Sequence, residues 1–471
     1  MAMMNNKSGK IIEAGSHVLV VGLGKTGLSA VTFLQGLGVH VSVSESQPLA
    51  KLDPGMVSAL SRQDVFLEAG GHSEKLFTSV DRIMVSPGIP LTIPALVAAR
   101  KQGITIFGDM ALTPYFLQAP MAAITGTNGK STVTTLLGDL LLASGKNPFV
   151  GGNIGTPLTD FFMSSQDAES VVLEVSSYQL DTSGDFRPDV AVLLNITPDH
   201  LDRYESYDAY ADSKFRIFAK QSRQDAAVLN LDDAEIMARL PARFNARTFF
   251  FGTDLGGRPG ATIRDGKVLL NLQQGTADEI YDLADTALSL PPNTQNAMAA
   301  IIAARLMGCR ADKVVAGLHS FRPLAHRIDL IAEIDGIRFY DDSKATNVGA
   351  VYAALSAMER PVVLIAGGRE KGSDYRLIHE LVRRKVKAVV VIGEARARML
   401  AEFGPLTRVS SAGSMVEAVG MAKELADAGD DVLLSPACAS FDMFNSYAHR
   451  GDVFAQAVLG LTNRTAAPIN N

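Results

Sequence analysis

Two stretches of the chain share one grammar: an apolar strand, a glycine-rich turn and a helix start. They are HVLVVGLGKTGLSA (17–30) and MAAITGTNGKSTVTTL (121–136). A strand that turns directly into a helix is the first half of a βαβ unit, in which the next parallel strand is reached through a helical crossover. The two stretches therefore predict two parallel α/β sheets. Each turn also brings backbone N–H groups to a helix N-terminus, a natural seat for a phosphate. The pattern thus implies two anionic ligands as well as two sheets.

Between Val18 and about Gly108, short apolar strands alternate with helical segments, as in VHVSVSES, DRIMVSPGI and ITIFGD. From PMAAITGTNGKST the alternation resumes through SVVLEVSS, VAVLLNIT and AAVLNLDD. From Thr248 to Asp285 the segments TFFFGTD, ATIRDGKVLLNL and ADEIYDLADTAL predict short antiparallel strands joined by Asp-Gly and Gly turns. An apolar helix follows in NTQNAMAAIIAARLMG. A third alternating run begins near FRPLAHRID and includes RPVVLIAGG, AVVVIG and DVLLSPACAS. The expected organisation is α/β in three domains, 1–108, 109–322 and 323–471. The first and last are Rossmann-like. The middle one is a P-loop ATPase-like parallel sheet with a small antiparallel sheet. A chain of 471 residues is long enough for several cores.

Composition narrows the function classes. Acidic residues outnumber basic ones by 50 to 44 and no basic run stands out, which argues against a nucleic-acid surface. Two cysteines, Cys309 and Cys438, do not make a disulfide framework. The longest apolar runs fall well short of a membrane span, and the polar opening MAMMNNKSGK lacks a signal-peptide core. The expectation from composition is a cytosolic protein, and a monomer is expected without any mark of it in the sequence.

The first turn, Gly22-Leu-Gly24-Lys25-Thr26-Gly27, is a full G-x-G-x-x-G, and Glu45 ends the following strand at the offset of a ribose-binding acid. Alone it fits a dinucleotide site or simple strand–helix packing. The second turn, Gly126-Thr127-Asn128-Gly129-Lys130-Ser131-Thr132, resembles a Walker A loop with its first glycine two residues nearer. Backbone N–H groups would wrap phosphates, Lys130 would neutralise β/γ oxygens and the Ser131 hydroxyl would ligate Mg²⁺. Elsewhere, Glu174 ends an apolar strand, where a carboxylate is costly unless paired or metal-bound. His200 follows another strand. Lys214 lies on the apolar stripe Tyr207, Tyr210, Ala211, Phe215, Phe218, which suits either a snorkelling lysine or a desolvated, nucleophilic amine.

The segment TGTNGKSTVTTL resembles the nucleotide loop of the Mur ligase superfamily. DDSKATN (341–347) and LLSPACASFDMF (433–444) are similar to those of the member that adds D-glutamate to UDP-N-acetylmuramoyl-L-alanine. The resemblance covers nearly the whole chain. It implies ATP and Mg²⁺ as cofactors, with two metal sites, and an N-terminal domain that binds the UDP end of the substrate instead of NAD. It implies that Ser131, Glu174, His200 and Lys214 serve the metals, with Lys214 carbamylated by CO₂. It places Gly24, Lys25, Thr26, Glu45, Ser86, Asn153, Ser176 and His200 at the UDP substrate. Asn293, Asn296, Asp342, Lys344 and Arg327 join the nucleotide loop at ATP. Thr346, Lys371, Ser440, Phe441 and Tyr447 go to D-glutamate. Catalysis falls to Lys130, His200, Lys214 and Arg327. Pro291-Pro292 stands where relatives carry Gly-His, and Tyr447 where they usually carry Phe. From the residues themselves, one of Asn293 and Asn296 is expected to cap a helix. Ser440 and the Phe441 N–H are expected at a helix N-terminus, and Ser320–Pro323 reads as a hinge poor in apolar residues. An NAD-dependent oxidoreductase and a ligase for another amino acid or for folate remain as alternatives.

Overall fold

The computed structural model describes residues 11–164, 167–199, 203–240, 244–273, 277–289, 291–370 and 372–464. His200 and Lys371 lie outside the described residues.

Three sheets follow one another along the chain. The first contains β1 (His17–Val21), β2 (His40–Glu45), β3 (Phe66–Ala69), β4 (Arg82–Val85) and β5 (Thr105–Phe107), all parallel in the order 3-2-1-4-5. The second contains β6 (Met121–Thr125), β7 (Pro148–Gly152), β8 (Ser170–Glu174), β9 (Val190–Leu193), β10 (Ala226–Asn230), β11 (Arg247–Gly252), β12 (Gly260–Arg264), β13 (Lys267–Asn271) and β14 (Glu279–Asp282). Its order is 14-13-12-11-10-9-6-8-7. The third contains β15 (Asp329–Ile334), β16 (Ile337–Asp341), β17 (Val362–Gly367), β18 (Val386–Ile392), β19 (Arg408–Ser411) and β20 (Asp431–Leu434), ordered 15-16-20-17-18-19. It is parallel except for β15, which folds back on β16 through Asp335-Gly336, both at positive φ, as a two-residue hairpin requires.

The antiparallel strands expected from Thr248 begin later. β11 runs parallel to β10, and β12 is parallel to β11; only β13 and β14 reverse direction, β13 through Asp265-Gly266. The physical reason lies in Phe249-Phe250-Phe251. Phe249 and Phe251 pack into the apolar layer on one side of the sheet and Phe250 into the layer on the other. A strand covered on both faces reads as an unbroken apolar run and suits the parallel interior.

The ends of the parallel strands position the site. β6 sits between β9 and β8 with all five residues buried, and its C-terminal end feeds the second glycine turn and the helix Lys130–Ala143. Ligands in open parallel sheets gather at such carboxyl ends. The helix Ala311–Ser320 closes the second unit, and Phe321, 1% exposed, is anchored in its core. The segment expected as a hinge poor in apolar residues is therefore pinned at Phe321.

Candidate active site

The second glycine turn is held from below by its neighbours. Thr127 N–H donates to the Asn195 carbonyl (2.9 Å) and Asn128 N–H to Asn195 Oδ1 (2.8 Å). The Thr127 hydroxyl bonds Tyr210 OH (2.9 Å) and accepts from Thr197 N–H (3.0 Å). Gly126 and Gly129 have φ of +153° and +85°. A Cβ on Gly129 would lie 2.5 Å from Asn296 Oδ1, so only glycine lets the turn pass that side chain. The turn leads straight into the helix, whose first N–H groups, at Lys130, Ser131 and Thr132, have no intrahelical partner.

Above this turn lies a cavity of about 350 Å³. Its floor includes Lys130, Ser131, Glu174 and Asn296. Its roof comes from the third unit: Arg327, Asp342, Lys344, Thr346 and Asn347. The structure thus brings the candidate ATP set together across two units, with Asn153 and Asn293 also on the wall. Neither asparagine at the helix Asn293–Leu306 caps it; the N-cap is Pro292, and Asn296 Nδ2 instead donates to Asn293 Oδ1 (3.3 Å). Proline at the cap displaces the asparagines into the first turn, where their amides face the cavity.

Its electrostatics are those of a charged cleft in which burial disfavours the charged forms. Glu174 ends β8; Oε1 accepts from Asn153 Nδ2 (2.7 Å), while buried Oε2 has no hydrogen-bond partner among the described residues. Lys130 Nζ folds back onto the carbonyls of Gly126 and Thr127 (2.8 Å each), and desolvation lowers its pKa against the pull of Glu174 and Asp199. Lys214, 2% exposed, reaches the same Gly126 carbonyl (2.8 Å) and lies 4.6 Å from the Tyr210 ring centroid. Burial, then the neighbouring Lys130 charge, hold Lys214 well below the ordinary lysine range. Desolvation in the cleft also lowers the pKa of Arg327, opposed by Asp342 and Glu174. Burial pushes Asp342 up to about 7, although Ser435 donates to it (2.8 Å).

In the third unit, Lys344 Nζ lies 3.8 Å from the Tyr447 ring centroid. Ser440 is buried and Phe441 exposed. Ser440 is not at a helix N-terminus, because the last helix starts only at Tyr447; residues 440–443 form a turn closed by Met443 N–H and Phe444 N–H on the Ser440 carbonyl.

The first glycine turn is a separate site. A Cβ on Gly27 would lie 1.9 Å from the Gly22 carbonyl oxygen, which explains the third glycine. Gly24 caps the helix Lys25–Gly36, and half-buried Thr26 lies in its first turn. The Glu45 carboxylate accepts from Leu23 N–H (2.8 Å) and Gln47 N–H (2.9 Å), so it braces the turn. Lys25 Nζ donates to the Gly155 carbonyl in the second unit (2.7 Å). Ser86 donates to Gly22 O (3.0 Å) and lines a second cavity of about 390 Å³ between the first two units. Gly24, Lys25, Thr26 and Glu45 are not among the walls of that cavity. The Ser176 hydroxyl is engaged in a capping box with Gln179.

The sequence placed Asn347 at a helix start, as found, whereas two other participants, Asn195 and Arg203, escaped it. Asn347 caps the helix Val348–Ala357 through Ala350 N–H (2.8 Å) while Nδ2 donates to Asn128 Oδ1 (3.2 Å) and Asp199 Oδ2 (2.9 Å). Asn195 braces the second glycine turn, and Arg203 crosses to the Gly88 carbonyl of the first unit (2.7 Å).

A glycine turn in one α/β unit is thus roofed by charged loops of another. Residues 16–108 match the Mur ligase MurD-like N-terminal domain, 124–304 the Mur ligase middle domain and 326–438 the Mur ligase glutamate ligase domain. The chain belongs to the Mur ligase family. Within it, the chain falls among the UDP-N-acetylmuramoylalanine–D-glutamate ligases. The protein so named from Desulfosudis oleivorans is 44% identical, over 94% of this chain and 95% of its own length. That from Acidobacterium capsulatum is 43% identical, over 97% and 98%. Solved structures share the fold at lower identity. A pseudomurein peptide ligase type C from Methanothermus fervidus has a TM-score of 0.58 at 19% identity, covering 95% of this chain and 100% of its own. MurF ligase from Thermotoga maritima in complex with ADP has a TM-score of 0.58 at 17%, covering 97% of each chain.

Proposed function

We propose that this protein joins the carboxylate of UDP-N-acetylmuramoyl-L-alanine to the amine of D-glutamate at the expense of ATP, in peptidoglycan precursor synthesis. The observation that carries this reading is the cleft in which Lys130 and Ser131 face Arg327, Asp342, Lys344 and Thr346. Full-length likeness to the D-glutamate ligases selects the acceptor. The substrate carboxylate attacks the γ-phosphorus, ADP leaves and an acyl phosphate forms. The D-glutamate amine then attacks the acyl carbon, phosphate leaves and the amine gives up its proton.

The chain's work is positioning and charge. The nucleotide turn and helix N-terminus hold the phosphates. Lys130 exchanges its two loop carbonyls for β/γ oxygens, and Arg327 meets the transferred phosphoryl group from the opposite wall. Asp342 takes the ribose, Lys344 a phosphate, and Asn293 with Asn296 the adenine. Mg²⁺ fits the corner where the unpartnered Glu174 Oε2 and the Ser131 hydroxyl share one wall. Ser131, Glu174, His200 and Lys214 would hold Mg²⁺ at two sites, where it would supply neutralising positive charge. Lys214 joins that set as a carbamate: Nζ forms a bond to CO₂ and releases one proton, which turns a costly buried cation into an oxygen donor. Thr346, Lys371, Ser440, Phe441 and Tyr447 take D-glutamate. Gly24, Lys25, Thr26, Glu45, Ser86, Asn153, Ser176 and His200 take the UDP substrate. The units divide as 1–108, 109–322 and 323–471, in a cytoplasmic monomer.

Phosphate release measured with UDP-N-acetylmuramoyl-L-alanine, ATP and Mg²⁺ is expected to require D-glutamate. Comparable turnover with L-glutamate, L-alanine or meso-diaminopimelate would overturn the assignment.

A further inference from the structure

Arg450 is 1% exposed and stands on the last helix, three residues after Tyr447. Its guanidinium bonds neutral oxygens: Nε donates to Ser343 Oγ (2.9 Å), Nη2 to the Ser343 carbonyl (2.7 Å) and Nη1 to the Cys438 carbonyl (3.0 Å). Ser343 Oγ in turn donates to the Tyr447 carbonyl (2.8 Å). Nη1 also approaches Gly368 so closely that a Cβ there would stand 3.2 Å away. Ser343 lies between Asp342 and Lys344, which face the nucleotide cavity. Cys438 lies two residues before Ser440. Gly368 opens the loop that reaches Lys371, and that loop is tied to Ala439 by a pair of backbone hydrogen bonds at Arg369 (2.8 and 3.2 Å). One buried side chain thus touches the loops leaving β16, β17 and β20.

We propose that Arg450 is a positioning residue that fixes the amino-acid loops and the nucleotide-ribose loop relative to one another. The proposal rests on the reading of this cleft as a D-glutamate ligase site. Packing alone does not explain the residue, because a buried cation is expensive and an apolar side chain of similar volume is often neutral or stabilising in such a place. A planar fork with five donors, by contrast, can hold several carbonyl and hydroxyl oxygens at fixed angles. Lysine cannot reproduce it.

The test uses the full-length enzyme with Arg450→Met, Arg450→Lys and Arg450→Ala, each substrate varied in turn. The KM for D-glutamate is expected to rise about tenfold or more in all three, as lost hydrogen bonds to a charged group imply. The KM for ATP rises with it, and the KM for the UDP substrate stays within about twofold, since that ligand binds elsewhere. Millimolar guanidinium should lower the raised KM of Arg450→Ala, whose vacated space admits the ion, and not that of Arg450→Met. A merely structural arginine would lower kcat through the folded fraction and leave all three KM values unchanged, and that result overturns the proposal. If the wild-type enzyme shows no D-glutamate dependence, the reading of the site fails first and takes the proposal with it. If wild type depends on D-glutamate and the variants keep its KM, Arg450 alone is wrongly assigned.

Discussion

Lys214 shows how far one residue can be followed. Its spacing on the helix stripe left it either snorkelling or desolvated, and the structure finds it buried beside Lys130 on one carbonyl oxygen. Its pKa is depressed, so between that value and the ordinary lysine range the unfolded chain binds more protons than the folded one. Stability then rises with pH across that window. In CO₂-free buffer, Lys214→Met is expected to remove this rise and to melt no lower than wild type at neutral pH. Its ligase rate should fall by more than the ~10–100-fold typical of losing a metal ligand's supporting partner. Thermal denaturation against pH, paired with phosphate release, checks both halves; a variant with near-normal turnover would leave Lys214 a buried structural residue with no part in the reaction. Other residues left no such trace. Arg450 acts through oxygen atoms of Ser343, 107 residues away in sequence, so no periodicity marks it. Glu45 was legible as an acid at the right offset, yet its bond to Leu23 N–H, which braces the turn, was not.

At the scale of elements, the parallel strands, both glycine turns and the Asp-Gly hairpins were readable because each follows from local chemistry. Helix ends were less so. Whether Asn293 or Ser440 begins a helix depends on where the next turn closes, and Pro292 and the 440–443 turn decided that. β11 was misplaced because three phenylalanines on a strand look alike whether one face is covered or two. The nucleotide turn offers a test at this scale. Gly129→Ala combines a left-handed φ with a Cβ 2.5 Å from Asn296 Oδ1, each a source of strain of about 1 kcal/mol or more. The KM for ATP is expected to rise about tenfold. Adding Asn296→Gly should not restore it if that asparagine also meets adenine, whereas full recovery would reduce its role to that of a steric neighbour. Titration of both variants with a nucleotide analogue separates the two outcomes.

The whole molecule is joined unevenly. The first unit's core takes in Phe116 and Phe162 from the second, with Phe33–Phe116 centroids 5.0 Å apart and Phe33–Phe162 5.8 Å. Among the described residues, the third unit's buried clusters draw on residues 328 to 461 alone. It meets the nucleotide turn through polar side chains, chiefly Asn347 on Asn128 and Asp199. Apolar interfaces hold domains together, whereas small polar ones allow motion as the default. The third unit should therefore be the one that swings, with its freedom beginning beyond Phe321. Asn347→Asp isolates the contact. Aspartate caps a helix as well as asparagine does, so the helix Val348–Ala357 keeps its start. The amide donors, however, are replaced by a carboxylate facing Asp199, and like charges at that distance repel. Melting should change little, while the KM for ATP rises about tenfold, the cost of a hydrogen bond lost to a charged partner. With nucleotide and UDP substrate saturating, small-angle scattering should give this variant a larger radius of gyration than wild type. Those ligands favour the closed form only in proportion to how much better they bind it, and the variant has lost part of that difference. Gly349→Val gives an independent route, since even a Cβ at this position would stand 2.7 Å from Thr197 Oγ1 and wedge the cleft. Superimposable scattering curves for all three proteins would mean that the third unit is seated by something other than this contact.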